Sequence, residues 1–383
     1  MGVRGTRASL GGVEACARVA LAAWATALLC GCGDDNGRAA DAGPRPDGAA
    51  PVDGAGRDAA LPDHVRASAY AVNIADPSAA AELDKFLRGA ADEDLWVAGR
   101  SFYDVFGDDY DFLYLVTEED LGGEAAGGRY RAVRHPAEPE IGLPAALDDT
   151  SYGSDARLQG IVGLNLSAAG NGPTLHETLH RWATFLDRSL GFGVDRSTDW
   201  GAHWGVASVD GQHGGFDAAT LRCEATGGAP ETCIAGTDGW VHYNVAPFNP
   251  NQNGGDAKPY APIELYLMGL LAPEDVPSPI LVLEDAVPIG FDDPFIMEAS
   301  GIREVTMDEI IATHGRRALL PEEARHFRAA FVLLSDTPVD DATLAIVDRW
   351  SAIFGGDEPS SFLLSFETAT GARATMDTHA PTP

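Results

Sequence analysis

A run of strand formers, a glycine-containing turn and a histidine-bearing helix follow one another in the middle of this chain, and few folds accommodate that succession. Gly160-Ile-Val-Gly-Leu-Asn-Leu166 carries the branched residues that suit a pleated, buried surface. Asn171-Gly172-Pro173 then opens a helix, with proline where its missing N–H costs nothing. Leu175, Leu179, Trp182 and Leu186 recur at i, i+4, i+7 and i+11, which predicts a buried stripe and a helix running to Gly191-Phe192-Gly193.

His176 and His180 stand four apart beside that stripe, in His176-Glu177-Thr178-Leu179-His180. One helical turn brings two imidazoles together so that their nitrogens meet at one tetrahedral ion. Glu177 lies about 100° round the helix, placed to act on a water without being a ligand. This is the arrangement of a zinc-dependent hydrolase. A second reading, Thr174-x-x-Glu177 as a capping box, would spend Glu177 on a backbone N–H. Zinc peptidases need a third ligand. His203, in Asp199-Trp-Gly-Ala-His-Trp-Gly205, ranks first, because small residues and tryptophans suit a chain bending back beneath the helix. His213, in Gly211-Gln-His-Gly-Gly215, is read as a loop residue. Glu264 is the alternative third ligand and would make the set two histidines and a carboxylate. Ile263, Leu267 and Leu270 make its segment a core helix as well.

The N-terminus reads as an address. Arg4, Arg7 and Arg18 precede an apolar run from Val19 to Leu29. Eleven residues at ~1.5 Å each fall short of a ~30 Å bilayer core, so the run is a signal h-region and not an anchor. It ends in Leu29-Cys30-Gly31-Cys32, which resembles the bacterial lipobox; by that resemblance Cys32 would be lipidated and residues 1–31 removed. From Gly33 to about Asp63 large apolar side chains are nearly absent, so residues 32–65 read as a disordered tether. The chain carries 26 basic and 58 acidic residues, net −32; cleavage would remove three Arg and one Glu, giving −32 − 2 = −34. That charge repels phosphate backbones and anionic headgroups, so a nucleic-acid partner is not expected. Contact with a membrane is expected only through the lipid. Cys223 and Cys233, flanking a Gly- and Pro-containing loop, read as one disulfide in an exported chain. There is no Gly-x-Ser-x-Gly elbow, P-loop or Gly-x-Gly-x-x-Gly, which removes support from serine-hydrolase and nucleotide readings.

The fold class expected is α+β. Residues 77–89 predict a helix capped by Ser78, and residues 111–117 a strand. Helices are expected around 306–313, 321–334 and 339–354. The expected division is therefore one domain over 66–375, with an α/β part to about 190, a mostly helical part from 191, and a disordered tail at 376–383.

His176-Glu-Thr-Leu-His-Arg-Trp182, followed by Gly201-Ala-His-Trp204 and by Pro262-Ile-Glu-Leu-Tyr-Leu-Met-Gly269, resembles a group of bacterial exported zincin-like proteins. The resemblance spans roughly Phe102 to Val276. It implies a twisted sheet whose edge strand lies over the active-site helix, Zn2+ held by His176, His180 and His203, and Glu177 as general base. It also implies a Met268 floor beneath the metal, as in metzincins, although no Gly-x-x-His follows His180. The expected activity is that of a zinc endopeptidase acting on protein or peptide substrates in a bacterial cell envelope. The alternative is a non-catalytic surface lipoprotein that uses the same scaffold for binding.

Overall fold

Phe112-Leu-Tyr-Leu-Val-Thr117 is buried at every position, so both faces of this strand are covered and it belongs inside a parallel sheet. The computed structural model describes residues 61–381, apart from 91–93, 119–126, 136–140, 142, 144–145, 170–171, 197–198 and 291–293. The expected signal peptide, Cys32 and the tether up to residue 60 lie outside the described residues, as does Asn171. Packing has begun by Leu61 and Val65, a few residues before the expected end of the tether.

The main sheet is mixed. Its strands are β1 (Val65–Ala67), β2 (Ala71–Ala75), β3 (Phe112–Thr117), β4 (Gly128–Ala132), β5 (Gly160–Asn165), β6 (His326–Ser335) and β7 (Thr375–Asp377). They lie in the order β1-β2-β6-β3-β5-β4, and β7 continues the β2 side of β6. The central strands β2, β6, β3 and β5 run parallel, and the flanking β1 and β4 run antiparallel.

Alternation divides the core. Leu113 and Leu115 of β3 face helices α1 (Pro77–Leu87) and α2 (Trp96–Tyr103), together with Leu83, Phe86 and Phe102. Phe112, Tyr114 and Val116 face the other way, onto Leu175, Leu179, Trp350 and Phe354. The side chain that caps α1 is Asp76, which accepts the Ser78 and Ala79 N–H groups. The cap thus falls two residues before the expected Ser78, because the longer carboxylate arm spans Pro77, which has no N–H to offer.

The C-terminal expectations need three corrections. Residues 321–334 were expected as a helix; the chain instead makes a short 3-10 turn (Glu322–Arg325) and then strand β6 in the centre of the sheet. Ala329-Ala-Phe-Val-Leu-Leu334 is a continuous apolar run without decisive periodicity, and burial on both faces between β2 and β3 settles it as a strand. The part after residue 191 is not mostly helical. It contains a four-stranded sheet of Arg222–Cys223, Val241–Val245, Val287–Gly290 and Phe295–Ala299, with a small core of its own around Phe216, Tyr243 and Met297. Ile280–Glu284 pairs with Gly301–Val305 as a further hairpin. Residues 376–383 are not simply a tail, since Met376 is buried in β7 and Thr378 exchanges hydrogen bonds with Ser351. The helices expected near 306–313 and 339–354 are present as Met307–His314 and Asp341–Gly355. Cys223 and Cys233 form a disulfide. Among the described residues, no helix is long and apolar enough to cross a membrane.

Candidate metal centre

Helix α3 (Thr174–Leu179) follows β5 and lies against the sheet face that carries Tyr114, whose hydroxyl is 2.7 Å from Thr178 Oγ1. Pro173 is the N-cap residue and Thr174 already lies inside the helix, so Thr174 is not the cap that the alternative capping-box reading of Glu177 requires. The N-terminal N–H of Leu175 donates instead to Asp256, a buried carboxylate from a distant loop. Burial pushes the Asp256 carboxyl up to about 6, against the pull of that N–H donor. Gly172 leaves room for it: a Cβ there would stand 2.3 Å from Asp256 Cγ.

The helix ends one turn after it begins its work, with His180 as C-cap, and does not reach Gly191 as expected. Leu175, Leu179, Trp182 and Leu186 are nonetheless all in the core. Periodicity read their burial correctly and their backbone incorrectly. The Thr184 N–H is taken by Ala202 O at 3.1 Å, so a tertiary partner replaces the helical one.

Four imidazoles converge below this turn. His176, His180, His203 and His213 are each at most 2% exposed, and their ring centroids lie 4.1–5.3 Å apart. His176, His180 and His213 each offer a nitrogen within 4.8 Å of the others, a group that could hold a metal ion. Burial, with the neighbouring imidazoles adding to it, holds His180 and His213 well below the ordinary imidazole pKa. The neutral form so favoured is the one that ligates metals.

Hydrogen bonding distinguishes His203 from His213. His176 Nδ1 is 2.8 Å from Gln212 O, and His203 Nδ1 is 2.6 Å from Trp200 O. A carbonyl oxygen only accepts, so both Nδ1 atoms carry a hydrogen, which leaves Nε2 as the atom each ring turns toward the other. Those two Nε2 atoms face each other at 3.3 Å. Two nitrogens each ~2.0–2.1 Å from a tetrahedral zinc stand ~3.3–3.4 Å apart, so His176 and His203 fit a shared ion as a pair, whereas the three-residue group within 4.8 Å contains His213 in place of His203. His213 is engaged differently: Nε2 lies 3.1 Å from His176 O, to which it donates, and Nδ1 lies 3.3 Å from Thr184 Oγ1.

Glu177 is buried beside β4. A Cβ on Gly128 would fall 2.8 Å from Glu177 Cγ and 3.1 Å from its Oε1, so the missing side chain there makes space for the carboxylate. Glu264, the alternative ligand, is wholly buried and already accepts four N–H groups. Oε1 takes Trp204 Nε1 at 3.0 Å and His213 N at 2.9 Å; Oε2 takes Gln212 N at 3.0 Å and Ala261 N at 2.8 Å. Burial pushes its carboxyl up, with those donors opposing. Met268 is buried in the core cluster that includes Leu175 and Leu179. The acidic run before β3 is spent locally: Asp108 accepts Ser154 Oγ and two backbone N–H groups, and Asp111 accepts Gln159 Nε2 and the Arg328 N–H.

Sequence reasoning read His213 as a loop residue, which it is, without seeing that the loop is buried. The flanking glycines at 211, 214 and 215 are the available signal: Gly214 and Gly215 have positive φ and would clash with backbone atoms if they bore a side chain. Gln212 and Asp256 left no comparable mark. No family model, curated protein or solved structure matches this chain.

Proposed function

We propose that this protein is a zinc-dependent endopeptidase whose ion is held by His176, His180 and His203, with Glu177 as general base. The observation that carries the reading is the pair of Nε2 atoms, of His176 and His203, facing each other at 3.3 Å. A cation between them would take a lone pair from each. A zinc ion there would lower the pKa of a water to about 7 and polarise a carbonyl beside it. Glu177 would take the proton of that water and pass it to the leaving amine. The antiparallel edge strand β4 lies beside Glu177, where an extended peptide could align with a strand edge. This supports a zincin-like reading of the fold, as does the succession of β5, turn and α3. The same reading treats the chain as an exported, lipid-anchored envelope protein with Cys32 acylated, and it leaves Met268 as core or floor.

A second reading rests on the fourth imidazole. Four histidines in one buried space could complete a coordination shell by themselves, leaving no position for substrate and making the protein a binding scaffold. X-ray absorption on the metal-loaded protein separates the two. Three nitrogens and one oxygen support the peptidase; four nitrogens and no hydrolysis of unfolded protein substrates overturn it. Protein purified without metal, and unable to take up Zn2+, overturns both.

A further inference from the structure

We infer that Glu264 is a positioning residue of the metal centre, fixing the chain segments that aim His176 and deliver His203 while taking no place among the ligands. The inference rests on the metal reading above. One carboxylate joins three stretches of chain. It holds the N–H groups of Gln212 and His213, the indole N–H of Trp204 next to His203, and the N–H of Ala261 at the start of its own helix, Pro262–Leu267. Three of the four contacts fall on His213 itself or on a sequence neighbour of a site histidine, Gln212 beside His213 and Trp204 beside His203. Gln212, held through its N–H, turns its carbonyl oxygen onto His176 Nδ1 at 2.8 Å. That bond fixes which nitrogen of His176 bears the hydrogen, and so which one is left for a cation. Trp204, held through its indole, sends its own N–H to His213 O at 2.9 Å, tying the 203–204 segment to the 212–213 segment.

The approach is close on both sides. A Cβ on Gly211 would stand 2.3 Å from Glu264 Oε1 and 2.6 Å from Oε2, so glycine there is what lets the carboxylate reach the two following N–H groups. A carboxylate has about four lone-pair sites. Four N–H groups occupy them, which is why this buried acid serves as a backbone anchor and not as a ligand.

The test uses the full chain, loaded with Co2+ and, separately, metal-free. Glu264→Gln keeps the size of the side chain but turns an NH2 toward two of the four donors. The expected result is a Co2+ dissociation constant raised about 10- to 100-fold, the range for groups that orient ligands. The visible Co2+ spectrum should change, and in the metal-free protein the 15N signals of His176 should move from the Nδ1–H tautomer to a mixture. Gly211→Ala crowds the carboxylate without removing it. It should shift the same signals less, and it decides the matter if Glu264→Gln does not fold. Folded variants with unaltered Co2+ affinity, Co2+ spectrum and His176 tautomer overturn the inference while leaving the metal reading intact. An oxygen at bonding distance that disappears from the X-ray absorption of Glu264→Gln also overturns it, since Glu264 would then be a ligand. A wild-type chain that takes up no divalent ion removes the metal reading and the inference together.

Discussion

Helix α3 and the loop spanning residues 199–215 bring two histidines each to the same buried space, by opposite means. On the helical turn, His176 and the C-cap residue His180 are set by a four-residue spacing, with Asp256 from a distant loop capping the Leu175 N–H. On the loop, His203 and His213 are ten residues apart with no regular structure between them, and their backbone is held by groups from elsewhere. Glu264 binds the Gln212 and His213 N–H groups, and Asn253 Nδ2 donates to both Asp210 and the Gly215 carbonyl. A helix carries its geometry with it. The loop acquires its geometry only when the remainder of the molecule is in place, so its two histidines depend on residues far along the chain.

That contrast can be broken at several points. The largest effect is expected from Glu177→Gln, which should leave the metal content intact and lower hydrolysis of unfolded protein substrates by about 10²- to 10⁴-fold, as loss of a general base does. Loss of metal in that variant would assign Glu177 to the coordination shell instead.

The loop histidines should then separate from each other. His203→Ala is expected to abolish stoichiometric Zn2+ uptake. His213→Ala, which removes an orienting hydrogen bond to His176 O, should weaken uptake by about 10- to 100-fold. Titration with a zinc indicator reads both, and the reverse ranking would transfer the third ligand from His203 to His213.

Two smaller effects concern the supports. Cys223→Ser with Cys233→Ser opens a short loop beside the strand Val241–Val245, and should cost about 2–3 kcal/mol of stability in denaturant titration with metal affinity unchanged. Asp256→Ala removes the side chain that caps α3 and should cost about 1–2 kcal/mol. Because α3 carries His176, it should also reduce Zn2+ affinity, which distinguishes it from the disulfide variant.

The metal-free protein should show a pH dependence of the same origin. Burial depresses the pKa of His180 and His213, so below about pH 6.5 the unfolded chain binds protons that the folded chain does not. Stability therefore falls as pH drops through that value, and His180→Gln with His213→Gln should flatten the slope in urea titrations. Asp256 acts oppositely: with a folded pKa near 6, above its unfolded value, it costs stability as pH rises from about 4 to 6. A slope unchanged in the double variant would exclude these imidazoles as its source.

Much of the architecture was legible because burial periodicity survives changes of backbone. Leu175, Leu179, Trp182 and Leu186 were read as buried and are buried, although only the first two lie in a helix. Strands β3 and β5 were legible from their composition. Strand β6 was not, since Ala329 to Leu334 is apolar throughout and its pairing partners lie more than two hundred residues away in β2 and β3. A local pattern carries no information about a neighbour that distance supplies.

The amino-acid order alone determined that two imidazoles and a carboxylate would share one turn of helix, because 3.6 residues per turn is a property of the backbone. It also determined that two cysteines ten apart would be close enough to join. Which further imidazoles complete the site, and which acid anchors the backbone beside it, was decided only by tertiary structure. Glu264 carries the same side chain whether it binds a metal or four N–H groups. Only the folded chain, by placing Gln212, His213, Trp204 and Ala261 around it, determined which.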